Sequence, residues 1–466
     1  MWMAIVVSVL VVLAPLQTWA ASHYIRAGAT GANNGSSWAD AWTEFPSGTT
    51  YIRGDEYYVA VGTYTTQSNF STVPSGTTTI KVCKATIAIV GSCSTAHGSD
   101  TGWSDTYAAQ ALFTNSGVNP FFSPGTSGYF IFDGVTGTGT DTASYGFYLT
   151  PSGGGGSYQV VTFHGPSNVV THMAITCPGA AFDVEQLGFY NAGNAGSVLS
   201  FVYADQCQVS AMILGTGPII EYSYFKTHWS SGSHHGVHVE ANISPIFRNN
   251  VLADCGGGPC FEPNSGNLTN GAFYNNVFIG CTTPNGVLKG TSADSIIDTV
   301  MYNNTVVNCA GPILYQNNEG LGAGSGNTVV NNLFYNSSPQ LINEGGAGTI
   351  AHSYNSLYDH TAGNPPAETG IQIGSGNPFV NSAGGDFHLA VTADKAIDLG
   401  FSLSQPYNLD ADGLSRPQGS AWDIGAYEFD QGGAGQSPDP PTGGTFPADQ
   451  RPSAGSRPAA AARALR

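Results

Sequence analysis

Four of the eleven histidines lie within eleven positions, in the segment from Lys226 to Glu240. Histidine titrates near neutral pH and is a common metal ligand, so this density indicates proton transfer or metal binding. On a strand, however, His234 and His238 would lie about 13 Å apart, whereas zinc needs both ring nitrogens at about 2.1 Å from the ion. Only a sharp bend at Gly236 would allow both to bind one ion, so we expect no metal site here.

Strand geometry favours a different interpretation of the same segment. In Val237-His-Val-Glu240 the valines would point inward, while His238 and Glu240 would share the outer face about 7 Å apart. An imidazole beside a carboxylate can act as a general acid or base on a sugar. We predict His238 as the proton-transfer residue and Glu240 as its partner, with His235 and Lys226 as further catalytic candidates.

Other polar residues are expected to extend this pair into a stripe along one face. When the chain is written in rows that follow the internal repeat described below, Glu262 and Lys289 fall near the same column as His238. We predict that Glu262, Lys289, His234 and His228 bind substrate. The competing hypothesis is that these are ordinary polar side chains on the exposed face of strands, where polar residues are common.

The rows come from a repeat in the middle of the chain. Each row holds an Asn-Asn pair between short apolar runs, and the second asparagine falls at Asn250, Asn276, Asn304 and Asn332, giving periods of 26, 28 and 28 residues. Self-similarity at this period indicates a solenoid. Successive turns of a β-coil lie roughly 4.8 Å apart, so the four asparagines are predicted to stack as a hydrogen-bonded ladder.

Composition restricts the type of solenoid. The chain has 62 glycines and only 9% charged residues. It lacks both the Leu-x-x-Leu-x-Leu frame of leucine-rich repeats and the helix formers that helical repeats need. An all-β coil with three short strands per turn remains.

The cysteines leave alternatives open. Cys255, Cys281 and Cys309 occupy one register of the repeat and are predicted to form a stack of apolar thiols, since parallel side chains at the coil spacing miss the usual disulfide geometry. Cys83 with Cys93 is a candidate disulfide across a loop, and Cys255 with Cys260 is another.

The N-terminal segment indicates the location of the protein, and the net charge restricts its partners. Residues 1–20 hold an apolar run too short for a membrane span, followed by small residues, which predicts a cleaved signal peptide and a secreted or cell-surface protein. The formal charge of −18 disfavours nucleic acid as a partner.

Segments at both ends resemble a known family. Residues 24–31, 35–38 and 53–59 resemble the opening segment, and residues 377–381, 385–389, 410–413 and 423–428 resemble the closing segment, of secreted, mostly bacterial, right-handed parallel β-helix repeat proteins with pectate-lyase-like architecture. The resemblance covers residues 23 to 430. It implies a single right-handed parallel β-helix over residues 126–429, preceded by an N-terminal cap and first coils over 21–125. Residues 430–466 are rich in Gly, Pro and Ala, which predicts a disordered tail.

The resemblance indicates architecture rather than chemistry. Such folds host lyases, hydrolases, tailspikes and adhesins, and the motifs of pectate lyases and polygalacturonases are missing here, so no family site residues are carried over. Asp410-Ala-Asp-Gly413 resembles a calcium loop but lacks its later acidic ligand; a turn is expected, with calcium as the alternative and no other cofactor. Two functions stay open: binding or processing of extracellular polysaccharide, and a non-catalytic adhesion or structural role.

Overall fold

The structure is a computed structural model, and its description covers these residues: 20–46, 51–114, 121–123, 127–151, 158–177, 186–191, 195–207, 209–227, 236–255, 258–263, 266–281, 286–290, 295–317, 326–339, 341–344, 350–360 and 367–430. All but the last residue of the expected signal peptide and all but the first residue of the expected tail lie outside these ranges. Within them, three short 3-10 helices occur, at Asp105–Ala108, Thr142–Ser144 and Ser382–Gly384, and no α-helix.

Short parallel strands make up almost all of the described secondary structure. The larger sheet contains 22 strands: β1 (Ser22–Ile25), β2 (Glu56–Val59), β3 (Gly62–Tyr64), β5 (Ile80–Lys84), β6 (Ala111–Phe113), β8 (Phe130–Asp133), β9 (Phe147–Leu149), β11 (Val169–Thr176), β13 (Val198–Cys207), β15 (Ile219–Glu221), β16 (Tyr224–Thr227), β18 (Ile246–Arg248), β19 (Val251–Ala253), β22 (Ala272–Tyr274), β23 (Val277–Ile279), β26 (Val300–Tyr302), β27 (Thr305–Val307), β29 (Thr328–Val330), β30 (Leu333–Tyr335), β32 (Ala351–Ser353), β33 (Ser356–Tyr358) and β34 (Gln372–Gly374).

A second parallel sheet contains 12 strands, and a third sheet is an antiparallel pair. The second sheet holds β4 (Ser68–Asn69), β7 (Phe121–Ser123), β10 (Tyr158–Phe163), β12 (Gln186–Asn191), β14 (Val209–Thr216), β17 (Val237–Ile243), β20 (Phe261–Pro263), β21 (Leu268–Thr269), β24 (Leu288–Lys289), β25 (Ile296–Ile297), β28 (Leu314–Asn317) and β31 (Leu341–Glu344). The pair is β35 (Phe379–Asn381) with β36 (Asp386–Leu389).

The strands stack into three columns. The larger sheet contributes two columns, represented by β18–β22–β26–β29 and β19–β23–β27–β30. The long strands β11 and β13 pair with both columns and so join them. The second sheet is the third column. In this sheet, β17 pairs with both β20 and β21, so some coils contribute two short strands to that column. The predicted right-handed parallel β-helix is confirmed.

The asparagine ladder is confirmed and fixes the corner between the first two columns. The side chains of Asn250, Asn276, Asn304 and Asn332 are buried, and each Nδ2 donates to the Oδ1 of the next asparagine at 2.9–3.1 Å. The last acceptor is Asn355, which continues the ladder one coil beyond the four predicted members. The residue before each ladder asparagine has a positive φ, a conformation that asparagine adopts at low cost, which explains the paired asparagines.

The core lies between the columns and is formed by the inward side chain of each short strand. Val237, Phe261, Leu288, Phe273 and Phe278 are among its buried members. Alternation along each strand leaves the neighbouring side chains on the outer surface. Burial of one face therefore sets the register of the whole stack.

Two of the predicted cysteine pairs are disulfides, Cys83–Cys93 and Cys255–Cys260. A third disulfide, Cys177–Cys207, joins strands of neighbouring coils with a Cα–Cα distance of 4.9 Å. The sequence argument against a bridge concerned cysteines in one register, whereas Cys177 and Cys207 are offset by one residue, since Thr176 pairs with Asp205. This disulfide was not predicted from the sequence. Cys281 and Cys309 are buried free thiols, as the predicted thiol stack requires. Cys255 is not part of that stack, because it is bonded to Cys260.

After β34 the chain folds back along the outside of the coils. Phe379, Phe387 and Leu389 pack on the outer surface of the second column, and Tyr407 and Trp422 pack on that of the first. We call residues 377–430 the C-terminal strap. It covers apolar side chains that an exposed strand face would otherwise present to water.

Candidate functional site

The candidate site lies on the third column, where three successive coils carry polar side chains in one register. His238 in β17 pairs with Glu262 in β20. Phe261 pairs with Leu288 in β24. The next residues along the two strands are Glu262 and Lys289, so these two share one register position. Parallel strands lie roughly 4.8 Å apart, so the three residues follow one another along the column. We call His238, Glu262 and Lys289 the polar column.

The neighbours of these residues determine which way they point. Val237, Phe261 and Leu288 belong to the buried core. Because successive side chains of a strand face opposite sides, His238, Glu262 and Lys289 lie on the outer side. The structure thus brings together one predicted catalytic residue and two predicted substrate-binding residues.

The polar column is less exposed than the sequence suggested. His238 is 9% exposed and Glu262 is 8% exposed, and Lys289 is half-buried. The competing hypothesis of ordinary side chains on an exposed strand face does not describe His238 and Glu262, which point outward but are buried. Charges interact more strongly in such a water-poor setting than on an open surface.

The start of β17 is fixed by a close approach between two coils. Val237 N donates to Cys260 O at 2.8 Å, and a Cβ added at Gly236 would come within 2.9 Å of that carbonyl. Glycine is thus the residue that lets the strand carrying His238 pack onto the strand carrying Glu262. The same glycine was considered from sequence only as the bend that a metal site would need.

Glu240 occupies another position than the polar column. It pairs with Leu214 in β14, and one extra residue is accommodated in β17 between Glu240 and Ile243. Such bulges change the direction of the side chains that follow them. The register partner of His238 on the next coil is Glu262, which the sequence analysis placed near the same column without identifying the direct pairing. The predicted His238–Glu240 pairing stays a prediction.

Lys226 lies on the other sheet. It follows Phe225 in β16, pairs with Ala253, and its Nζ lies 3.9 Å from Asp254 Oδ2. Both side chains are partly exposed, so this ion pair contributes little to stability. This ion-pair partner lies outside the polar column, and the catalytic role of Lys226 stays a prediction. His228, His234 and His235 lie outside the described residues.

Tyr315 is a position that sequence reasoning missed. It pairs with Lys289 and thus takes the next place in the register of the polar column. The signal was available, since Ile313-Leu-Tyr follows the row that ends at Cys309 as Val287-Leu-Lys follows the row that ends at Cys281, but this part of the repeat has no asparagine pair to mark the frame.

Asp410 acts in a turn. Its Oδ1 accepts hydrogen bonds from the backbone N–H groups of Asp412 and Leu414 at 2.9 and 2.7 Å, and its Oδ2 accepts from Glu428 N at 3.0 Å. These three bonds are those of a carboxylate that closes a loop, as expected for the Asp-Ala-Asp-Gly segment.

Among described side chains, one group of three potential metal ligands has its ligand atoms close together, namely Cys255, Cys260 and Cys281, all within 4.8 Å. Two of these sulfurs already form a disulfide. The part of the chain that the structure describes contains no helix with the length and apolarity of a membrane crossing.

Comparisons with known proteins return similar folds. No protein-family model matches the chain, and no curated protein does. Among solved structures, pectate lyase Pel9A is 16% identical with a TM-score of 0.47, over 88% of this chain and 97% of that one. XylC in complex with xylose is 8% identical with a TM-score of 0.42, over 87% and 98% of the two chains. The Dettilon tailspike protein is 14% identical with a TM-score of 0.39, over 70% of this chain and 63% of that one. No site residue is transferred from any of them.

Proposed function

We propose that this protein binds and processes an extracellular polysaccharide along the third column of its β-helix. The observation that carries the proposal is the register of His238, Glu262 and Lys289 on successive coils of one outer face. An imidazole, a carboxylate and an ammonium in one line offer a proton carrier, an orienting anion and a cation for an acidic sugar. A polymer lying along the stack would meet them in turn.

The role of each residue follows from its chemistry. His238 transfers the proton, because an imidazole can both accept and donate a proton. Glu262, its register partner, orients the imidazole and stabilises its charged form. Lys289 holds a carboxylate of the substrate, which offsets the repulsion between a polyuronate and a protein of net charge −18.

An extracellular location is part of the proposal. Three disulfides are formed within the described residues. Disulfides persist in secreted and surface proteins and are rare in the reducing cytosol. Together with the N-terminal segment of signal-peptide type, they support export.

The test is a screen of neutral and uronate polysaccharides, followed by ultraviolet absorbance of unsaturated products and by reducing-end release. With a substrate found, His238→Ala should lower turnover by about two to four orders of magnitude. Glu262→Gln should lower it less, and Lys289→Ala should raise KM for acidic substrates specifically. The matched control is His360→Ala, which removes a partly buried histidine beyond β33 on the other sheet.

The outcomes separate the two functions. Wild-type turnover by His238→Ala would show that the polar column takes no part in catalysis. Binding of a polysaccharide without turnover, with an affinity unchanged by all three column variants, would support an adhesion or structural role at another face.

A further inference from the structure

Three sulfur atoms meet at a corner of the coil where one disulfide is formed. Cys255 follows β19, Cys260 precedes β20, and Cys281 follows β23 in the next coil. All three side chains are buried. Cys255 and Cys260 are bonded to each other, and the Sγ of Cys281 lies 2.9 Å from the Sγ of Cys260.

The thiol of Cys281 is thus in contact with a disulfide sulfur. Thiols and disulfides exchange when a thiolate attacks one sulfur of the bond, which requires this kind of approach. The Cys177–Cys207 bond shows that this β-helix accommodates a disulfide between neighbouring coils. Cys260 and Cys281 also lie on neighbouring coils.

The next sulfur of the stack is differently placed. Cys309 Sγ accepts a hydrogen bond from Cys281 N at 3.3 Å, and Cys309 N donates to Ser337 Oγ at 3.0 Å. The stack therefore continues from cysteine to serine in the same register. Serine fits this position, which makes cysteine-to-serine changes structurally mild here.

We propose that Cys281 is a second bonding partner of Cys260, so that the buried disulfide exists in two isomers, Cys255–Cys260 and Cys260–Cys281. In the exchange, Cys281 loses its proton and its sulfur attacks the Sγ of Cys260. The Cys260–Cys281 bond forms, the Cys255–Cys260 bond breaks, and Cys255 leaves as a thiolate that takes up the proton. The number of disulfides and thiols is unchanged, so no oxidant or reductant is consumed.

The two isomers constrain different parts of the protein. The first closes a loop between residues five apart, whereas the second joins residues 21 apart on two coils. A longer closed loop removes more freedom from the unfolded chain. The second isomer therefore fastens β20, which carries Glu262, to the following coil.

Burial determines when the exchange takes place. The buried, apolar surroundings raise the pKa of the Cys281 thiol well above its usual range. Because the thiolate is the attacking species, exchange in the folded protein is slow. Each molecule therefore acquires its disulfide isomer during folding, before these cysteines are buried, and keeps it in the folded state.

The test is peptide mapping of the full chain under non-reducing conditions, with free thiols alkylated before digestion. Wild type should yield two peptides linked to the Cys260 peptide, one with Cys255 and one with Cys281. Cys255→Ser should give the Cys260–Cys281 link alone, and Cys281→Ser the Cys255–Cys260 link alone. Cys255→Ser should also melt at a higher temperature than Cys281→Ser, because its bond closes the longer loop.

Cys309→Ser is the matched control and should reproduce both wild-type links. Formation of Cys83–Cys93 in each sample shows that conditions were oxidising. Alkylation of both Cys260 and Cys281 in Cys255→Ser, with Cys83–Cys93 intact, would overturn the proposal. If Cys255→Ser does not fold by circular dichroism, wild type refolded with a trace of small-molecule thiol decides: a Cys255–Cys260 link alone would likewise overturn it.

Discussion

Asn304 shows how much one side chain can contribute to this architecture. Its Oδ1 accepts from both the N and the Nδ2 of Asn276 at 3.0 Å, while its own Nδ2 donates to Phe273 O and Asn332 Oδ1 at 3.0 and 2.9 Å. The side chain is fully buried. Every polar atom of the amide is satisfied within three consecutive coils, as a buried polar group requires.

Replacing Asn304 with alanine should destabilise the protein by about 2–4 kcal/mol. The change leaves the buried Asn276 N–H and the Phe273 carbonyl without their partners, and each such loss costs about 1–3 kcal/mol. The free energy of unfolding from urea titration measures the effect.

The control for this change is Asn308→Gly. Asn308 is exposed and has a positive φ of 54°, which glycine adopts without strain. It should remain within about 0.5 kcal/mol of wild type. Equal destabilisation by the two variants would contradict the role assigned to the ladder.

At the scale of elements, the C-terminal strap is held by polar contacts to the coil corners. Asn331 Nδ2 donates to Phe401 O at 2.8 Å, and Asn275 Nδ2 donates to Leu409 O at 2.8 Å. These are the first asparagines of their pairs, so in these two pairs one asparagine belongs to the inner ladder and the other binds the strap. Within the strap, the fully buried ion pair between Arg416 and Glu428 satisfies charges that would otherwise be costly.

His388 makes the strap sensitive to pH. Burial lowers the pKa of His388, but hydrogen bonds to Asp412 and Asp386, at 2.7 and 2.6 Å, outweigh it and raise the pKa to about 9. Because the pKa of His388 is higher in the folded state, the protonated imidazole stabilises that state. This contribution is fully present below pH 6.5, the pKa of an unperturbed histidine, and is lost as the pH rises through 9.

We therefore expect wild type to lose about 1–2 kcal/mol more than His388→Gln between pH 6.5 and 9.5, after allowance for the partial exposure of Asp412. Urea unfolding followed at both pH values measures it. Burial raises the pKa of Asp410 to about 6 and of Asp423 to about 7, but both carboxyls are present in both proteins, so the difference isolates His388. Parallel pH profiles for the two proteins would exclude the ion pair as the cause.

At the scale of the whole molecule, the strap and the coils form one apolar structure. The outer side chains Tyr274 and Tyr302 are buried against Tyr407, and Val307, Leu333 and Tyr358 are buried against residues 379–426. Large contiguous apolar patches cause association when they are exposed.

A chain that ends at residue 376 should accordingly bind the dye ANS and self-associate in size-exclusion chromatography. A chain that ends at residue 430 retains all described contacts of the strap and should behave as wild type. A monomeric, dye-negative chain ending at 376 would show that the coils are complete without the strap.

The sequence by itself determined the β-helix and its asparagine ladder, and it offered two of the disulfides as candidates. The repeated Asn-Asn pairs and the alternation of apolar residues are local signals with a fixed period, and one-residue slips would move every core side chain to the surface. The same rows placed Glu262 and Lys289 near one column, without fixing their register to His238.

The tertiary structure decided what depends on contacts between segments without a shared period. It placed Glu262 directly beside His238 on the next coil, a register that the sequence left open because the loops between the asparagine-marked strands vary in length. It joined Cys177 to Cys207 and brought Cys281 against Cys260, since sulfur contacts depend on side-chain geometry across coils. It also placed residues 377–430 against the outer surface of the coils, with hydrogen bonds between residues 70, 121 and 134 positions apart, contacts that no local pattern encodes.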